Sequence, residues 1–318
     1  MSVAASSEAV LRGAIRAEGI RPPAFCSERS ALWTLLFGAR PFAWMAAALL
    51  LAGFGGWAGW PAAALCLLVA QRHFQTLVHD GSHGLYHRTR PINDQLADWL
   101  AAGWIGMTVD NYRRIHLRHH ACNGSADDPE HVSFATVAEA GGLPTLVLRY
   151  ACLSEALRLV RKYYGGARRS ERAPGAADRR SKRPFPHLHI VATQLILVAT
   201  FLATGRPALY PIWLYLAMSW SPLLSRLRFL VEHPGDNDLT VTTRSSHLER
   251  LLFAPLNFNF HFEHHAWPAV PPYRLPRVHR HLRAIGFYDR HPEHANASFV
   301  GSLVRRDRAQ GALGEAIR

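Results

Sequence analysis

Apolar and charged positions fall into separate blocks along this chain. No charged side chain occurs from Phe42 to Ala70. A membrane crossing takes about 20 apolar residues, so this run is roughly half again too long for one upright helix. Gly53, Gly55, Gly56 and Gly59-Trp60-Pro61 punctuate its middle, and residues of that kind mark turns. The pattern predicts a hairpin of two helices, residues 36–54 and 59–78, with one tilted span as the alternative. A second run, Leu188 to Leu224, is broken by Gly205-Arg206-Pro207 and predicts a second hairpin, 188–204 and 208–226. Between the hairpins, residues 96–109 are apolar but too short to span. They suit a buried or interfacial helix that returns the chain to the face it left. Residues 135–164 carry apolar side chains at helical spacing with Arg149, Arg158, Arg161 and Lys162 among them, as in a helix lying on a membrane surface. Residues 165–184 combine high charge with no apolar period and predict a mobile basic loop.

The expected fold is all-α and integral to a membrane. Four transmembrane helices form two hairpins, and a cytoplasmic helical cap sits on them. Residues 36–285 make up this membrane domain, between an N-terminal tail (1–35) that shows no secretory signal and a C-terminal tail (286–318).

Charge sharpens this picture. The formal net charge is +13, which nucleic-acid binding would explain if the cations formed one patch without spans beside it. Instead, 34 of the 36 Lys and Arg lie in the segments before, between and after the hairpins, on one predicted side. Cytoplasmic segments of membrane proteins collect such residues. The bias therefore points to a bacterial inner (cytoplasmic) membrane, with both termini in the cytoplasm and no nucleic-acid partner. Cys26, Cys66, Cys122 and Cys152 form no C-x-x-C pair and read as reduced, structural thiols.

The candidate chemistry is histidine. His261, His264 and His265 spell H-x-x-H-H, as do His116, His119 and His120, while His79 and His83 spell H-x-x-x-H. Positions i, i+3 and i+4 share one helical face. With 19 His in the chain, one close pair would mean little, but three clusters are a different matter. The predicted crossings put all three on the same membrane side, as a common site requires. Eight imidazoles exceed the four ligands of a tetrahedral zinc. They suit two metals of higher coordination number, and imidazole is a good iron ligand. Metal-bound His usually passes its other N–H to a carboxylate, and Asp80, Asp128 and Glu263 are the candidates for that role, with Asp127 and Glu232 also near.

These three boxes, in this order, resemble the membrane fatty acid desaturase and hydroxylase superfamily. Asp80 within the first box, Asp127-Asp128-Pro129-Glu130 after the second and Pro268 to Leu275 after the third also look like desaturase text. The resemblance covers residues 40 to 285. It implies a non-haem di-iron enzyme with two iron ions (Fe2+/Fe3+), dioxygen as co-substrate, and no catalytic side chain beyond the metal ligands. It implies a ninth ligand, His233, which follows Arg228 and Glu232. Asn257, four residues before His261, is either a further ligand or a helix cap. The substrate implied is a lipid acyl chain that gains a double bond. The alternatives are a hydroxylase or ketolase acting on an acyl, terpenoid, carotenoid or natural-product substrate, and, from another class, a His-rich membrane metal carrier. A carrier would need polar residues at mid-membrane, and the predicted spans contain almost none. His233-Pro234-Gly235-Asp236 approaches a haem-binding H-P-G-G but ends on the wrong residue, so electrons must come from a separate ferredoxin or cytochrome. Tyr112-Arg113 stands where many relatives have Trp-Arg, and the third box opens on His261 and not on Gln; both loosen the substrate assignment. The remaining histidines, His87 and His279 among them, read as structural or exposed.

Overall fold

A computed structural model describes residue 15 and residues 18–22, 24–123, 125, 127–130, 141–158, 187–234 and 239–306. The basic loop 165–184 lies outside them.

The described chain is helical almost throughout. Helix α1 (Ala31–Phe54) starts at Ser30, whose side chain accepts the N–H of Trp33. It runs antiparallel to α2 (Gly56–Ser82) around a tight reversal at Gly55 and Gly56. A Cβ on Gly59 would sit 2.1 Å from the Leu51 carbonyl oxygen, so only glycine lets the hairpin close this tightly. α3 (Arg90–Ala97) passes into a π-turn at Asp98–Ala102 and a 3-10 turn at Gly103–Ile105. α4 (Val109–Cys122) follows, capped by the Thr108 hydroxyl on the Asn111 N–H at 3.2 Å. Then come α5 (Leu143–Ala151), α6 (Leu188–Ala203), α7 (Leu209–Met218), α8 (Trp220–Glu232) and α9 (His247–Phe253). The short α10 (His261–Ala266), α11 (Leu275–Ala284) and α12 (Phe287–Arg290) come next, followed by a 3-10 turn at Pro292–His294 and a helical stretch over residues 299–306. Among the described residues the strands are β1 (Thr242–Thr243) and β2 (Ala295–Asn296), which pair in parallel.

One apolar core joins both hairpins, with Leu67, Phe74, Leu77, Leu197, Phe201 and Trp213 at its centre. The Phe74 ring stacks on Trp104 at 5.8 Å and meets Trp213 edge-on at 6.3 Å. The hairpin tips are tied together by Arg206, whose guanidinium donates to the carbonyls of Ala52 (3.2 Å) and Gly53 (3.4 Å) at the open end of α1. Gln194 on α6 donates to the carbonyls of Gly103 and Trp104, which holds the non-spanning segment against the second hairpin. Two further cores lie in the cap, one around Leu146, Leu230 and Phe299, the other around Phe262, Leu275 and Val278.

Several boundaries differ from those read off the sequence. The span expected at 208–226 is divided at Ser219, which has φ −118° and ψ −83°. Pro222 lacks an N–H, and its ring would clash with the carbonyl four residues back, at Met218. Of the described helices, only α1 is long and apolar enough to cross a membrane by itself; α6 is apolar but shorter. α2 has the length, but its last turns bury Arg72, His73 and Asp80. Arg72 donates to the carbonyls of Leu252 (3.0 Å) and Phe253 (2.8 Å), a cation made tolerable at 2% exposure by backbone acceptors. The segments expected as tails also join the cap. Ile15, Ile20 and Cys26 are buried at one end, and Phe287, Phe299 and Leu303 at the other. All four cysteines are free thiols.

Gly81 lies inside the first histidine box, where α3 crosses α2. A Cβ there would meet the Cβ of Ala97 at 2.4 Å. Gly81→Ala should therefore lower thermal stability by about 1–3 kcal/mol, the usual cost of overpacking. Gly38→Ala, on an open stretch of α1, should leave it unchanged or raise it. Thermal unfolding of both variants in detergent checks the contrast.

Candidate metal centre

α2 ends at the first box: His79 is in its last turn and His83 is its C-cap. The carbonyls left over at that helix end must find donors. Asn93 donates to Gly81 O at 2.8 Å, and Arg113 donates to Gly81 O (3.0 Å) and Ser82 O (2.8 Å). Arg113 is in turn gripped by Asp94 through two contacts of 2.9 and 2.5 Å. Burial alone would raise the Asp94 carboxyl, but the hydrogen bonds from Arg113 and Asn93 outweigh it and hold it below the usual range. Arg113 lies three residues before His116, on the same face of α4, and so ties the first box to the second.

The third box reaches its place through a turn. Leu256 (φ 57°) and Asn257 (φ 67°) are both left-handed, a conformation that disfavours a branched side chain such as leucine. They swing the chain from α9 toward α10, all six of whose residues are buried.

These elements bring the ring nitrogens together. One each from His79, His83, His116, His120 and His264 lie within 4.8 Å of one another, and so do those of His119, His233 and His265. His261 adjoins the second group, its Nε2 2.8 Å from Nε2 of His233. The two groups abut, since the rings of His120 and His265 stack at 4.2 Å. α4 feeds both, sending His116 and His120 to one and His119 to the other. α10 does the same with His264 against His261 and His265.

The donor set fits a metal. Nε2 of His264 is 2.9 Å from Nε2 of His79 and 3.1 Å from Nε2 of His120, and Nε2 of His116 is 2.9 Å from the Nε2 atoms of both His83 and His120. A neutral imidazole has one N–H. His79 gives its Nδ1–H to Asp80 at 3.2 Å, so its Nε2 presents a lone pair to His264. Lone pairs packed this densely repel unless a cation sits among them. Burial, followed by neighbouring histidines, pushes His79, His116, His264 and His265 well below the usual imidazole range, and burial with His233, His119 and Arg228 does the same across His261 and His233. Neutral imidazole is the ligating form.

Carboxylates stand behind the rings. Asp128 accepts the Nδ1–H of His119 at 2.8 Å with both side chains buried. Glu232 lies 3.5 Å from Nδ1 of His261 and 3.2 Å from Arg228. Burial pushes its carboxyl up to about 8, against the pull of Arg228. Glu263 faces elsewhere: it accepts from His279 Nδ1 (2.6 Å), Tyr288 OH (2.5 Å) and the Thr242 hydroxyl. Asn257 belongs to neither nitrogen group; its amide donates to the Pro272 carbonyl at 3.2 Å. Phe229 packs on His233 at 4.5 Å and Phe258 on His79 at 4.3 Å, and these rings cover the two histidines with apolar surface.

The sequence model of the fatty acid desaturase family matches residues 56–296. The chain belongs to the fatty acid desaturase family. It is also 27% identical over 280 residues, 82% of this chain and 80% of the other, to a sphingolipid delta(4)-desaturase of Drosophila melanogaster. Family membership makes it an oxidoreductase of lipid metabolism. All nine clustered histidines fall within the desaturase match, as do Arg113, whose tie to the first box the sequence reading does not include, His279, expected as structural or exposed and found on Glu263, and Tyr288, for which that reading gives no role. The spacing of Arg113 from His116 could have drawn attention to it; nothing local to His279 or Tyr288 announces Glu263 as their partner.

Asp128→Asn keeps the shape of the side chain but weakens the acceptor for His119. Metal content of the purified variant should fall, with affinity about 10–100-fold lower, while Asp127→Asn, at an exposed neighbour, should bind as wild type. Titration of metal into chelator-treated protein measures both.

Proposed function

We propose that this chain is an integral-membrane, oxygen-dependent oxidoreductase that introduces a double bond into a lipid acyl chain with the aid of two iron ions. The observation that carries the reading is the pair of abutting, buried groups of imidazole nitrogens. Iron at these groups would supply the activation of dioxygen and the removal of hydrogen from an unactivated carbon chain, chemistry that no side chain performs alone. His79, His83, His116, His120 and His264 would hold one ion, and His119, His233, His261 and His265 the other. Asp80 and Asp128 take the Nδ1–H of His79 and His119, which turns each Nε2 lone pair inward. Glu232 lies behind His261, with Arg228 beside it. Glu263, bound to His279 and Tyr288, fixes the roll of α10 so that His261, His264 and His265 face the centre.

In this reading the chain crosses four times, through α1, the apolar part of α2, α6, and α7 with the start of α8; the support is the length and hydropathy of α1 and the apolar character of the shorter α6. Phe54 and Trp57, at the tip of the first hairpin, are 87% and 88% exposed, an arrangement suited to lipid and costly in water. The cation bias of the segments around the histidines supports a cytoplasmic position for that face. On that face α11 turns Arg277, Arg280 and Arg283 outward, a surface that complements an acidic electron donor of the ferredoxin or cytochrome type.

Lipid profiling of cells expressing the protein should show a new double bond that vanishes with His264→Ala. An added hydroxyl or keto group would move the reaction to hydroxylation or ketolation, and active protein containing zinc without iron would sink both. Topology is checked separately. In intact bacterial spheroplasts, a membrane-impermeant maleimide should label Trp57→Cys introduced into a Cys122→Ser, Cys152→Ser background. It should reach native Cys152, which is exposed, only after permeabilisation.

A further inference from the structure

Beside the third box lies a cleft of about 240 Å³ whose polar lining is Arg40, His73, His247, Arg250 and Asn257. No carboxylate contributes to it. Among the described residues Arg40 has no carboxylate partner; its guanidinium rests on the Phe37 ring, 4.7 Å from the centroid. Arg250 donates to Nδ1 of His247 at 2.7 Å, which makes the other nitrogen of that ring, Nε2, an N–H donor. The nearest acid in sequence, Glu249, is engaged elsewhere, by Ser298 Oγ at 2.6 Å and the Val300 N–H at 3.0 Å. His73 gives its Nδ1–H to the Val69 carbonyl at 2.8 Å, which leaves Nε2 as an acceptor for a hydroxyl. The cleft thus joins two unneutralised guanidiniums, one neutral N–H donor and one acceptor, and Pro255 and Leu256 give it an apolar side.

Position adds to the chemistry. Arg40 stands just before the charge-free stretch that opens at Phe42, His73 is six residues from His79, and Asn257 is four from His261. The cleft therefore spans the level where a lipid's polar head meets its chain, and backbone of a few residues leads from it to two of the histidine boxes. Its volume equals about eight waters at ~30 Å³ each, room for a phosphate and its ester oxygens.

We infer that this cleft seats the oxyanion headgroup of an amphiphilic substrate, a phosphate ester for which Arg40 and Arg250 are the specificity-determining residues. The inference rests on the oxidation reading above and narrows its substrate to acidic lipids. Guanidinium pairs suit phosphate through charge-assisted, bidentate hydrogen bonds.

The test is equilibrium binding to the full chain in zwitterionic nanodiscs, with no turnover involved. Stearoyl lysophosphatidate is compared with monostearoylglycerol, which has the same acyl chain and no charge, and inorganic phosphate is added as a competitor. Wild type should prefer the charged amphiphile by at least about tenfold, the scale of one charge-assisted hydrogen bond. Arg40→Gln, at an exposed position, and Arg250→Gln, at a half-buried one, should each erode that preference while binding of the neutral amphiphile holds. Competition by millimolar inorganic phosphate would assign the recognition to the oxyanion alone, and its absence to the oxyanion with its chain; both agree with the seat. Equal binding of the two amphiphiles by wild type, or an undiminished preference in both variants, would overturn it. A preserved preference in a protein that gives no oxidised lipid in cells would overturn the oxidation reading and support the seat. Oxidised product without any preference would overturn the seat alone.

Discussion

The structure depends on holding many nitrogen lone pairs close together out of water. Nine imidazoles crowd into two abutting groups, and six of them are pushed by burial and mutual repulsion toward the neutral form. Left to itself such a cluster would push apart. The fold opposes this by anchoring three of the four contributing helices where they carry their histidines: Asn93 and Arg113 at the end of α2, Asp128 behind α4, and the Glu263 network behind α10. The hairpins below supply rigidity through one shared apolar core, and the cap supplies polar restraint. Metal binding would turn the repulsion into its opposite, since a cation among lone pairs recovers the cost of confining them.

The histidine groups were legible because ligation needs a particular side chain at helical spacing, and that is a local pattern. His116, His119 and His120 on α4 could be placed on one face from their numbers alone. Their division between two groups could not, because it depends on how α2 and α10 approach α4. The hairpins were legible for a similar reason, since charge-free runs with glycine turns have few other solutions. The break at Ser219 does have a local signal in Pro222, whose missing N–H and ring outweigh the apolar length of the run. The apolar runs predict four separate crossings, whereas α1 alone among the described helices meets the length and hydropathy needed to cross.

Long-range polar partnerships were the least legible part. Its place inside a box makes Glu263 a candidate carboxylate behind a metal ligand, but on the helix its position turns it away from the nitrogens and toward His279 and Tyr288. Asn257, expected as a ligand or a cap, is occupied with the Pro272 carbonyl. The segments expected as tails bury Ile15, Ile20, Phe287, Phe299 and Leu303; isolated apolar residues in polar surroundings give no periodic signal, and only the cores they complete explain them.

The placement of Glu263 has a consequence for recombining such proteins. The third box is gripped on two opposite faces, by the metal-facing groups on one and by Thr242, His279 and Tyr288 on the other. Those three residues come from segments lying on either side of it in the chain. A chimera that exchanges the five-residue box alone would import its histidines without the counterpart that orients them, so a viable crossover must carry residues 242 to 288 as one block.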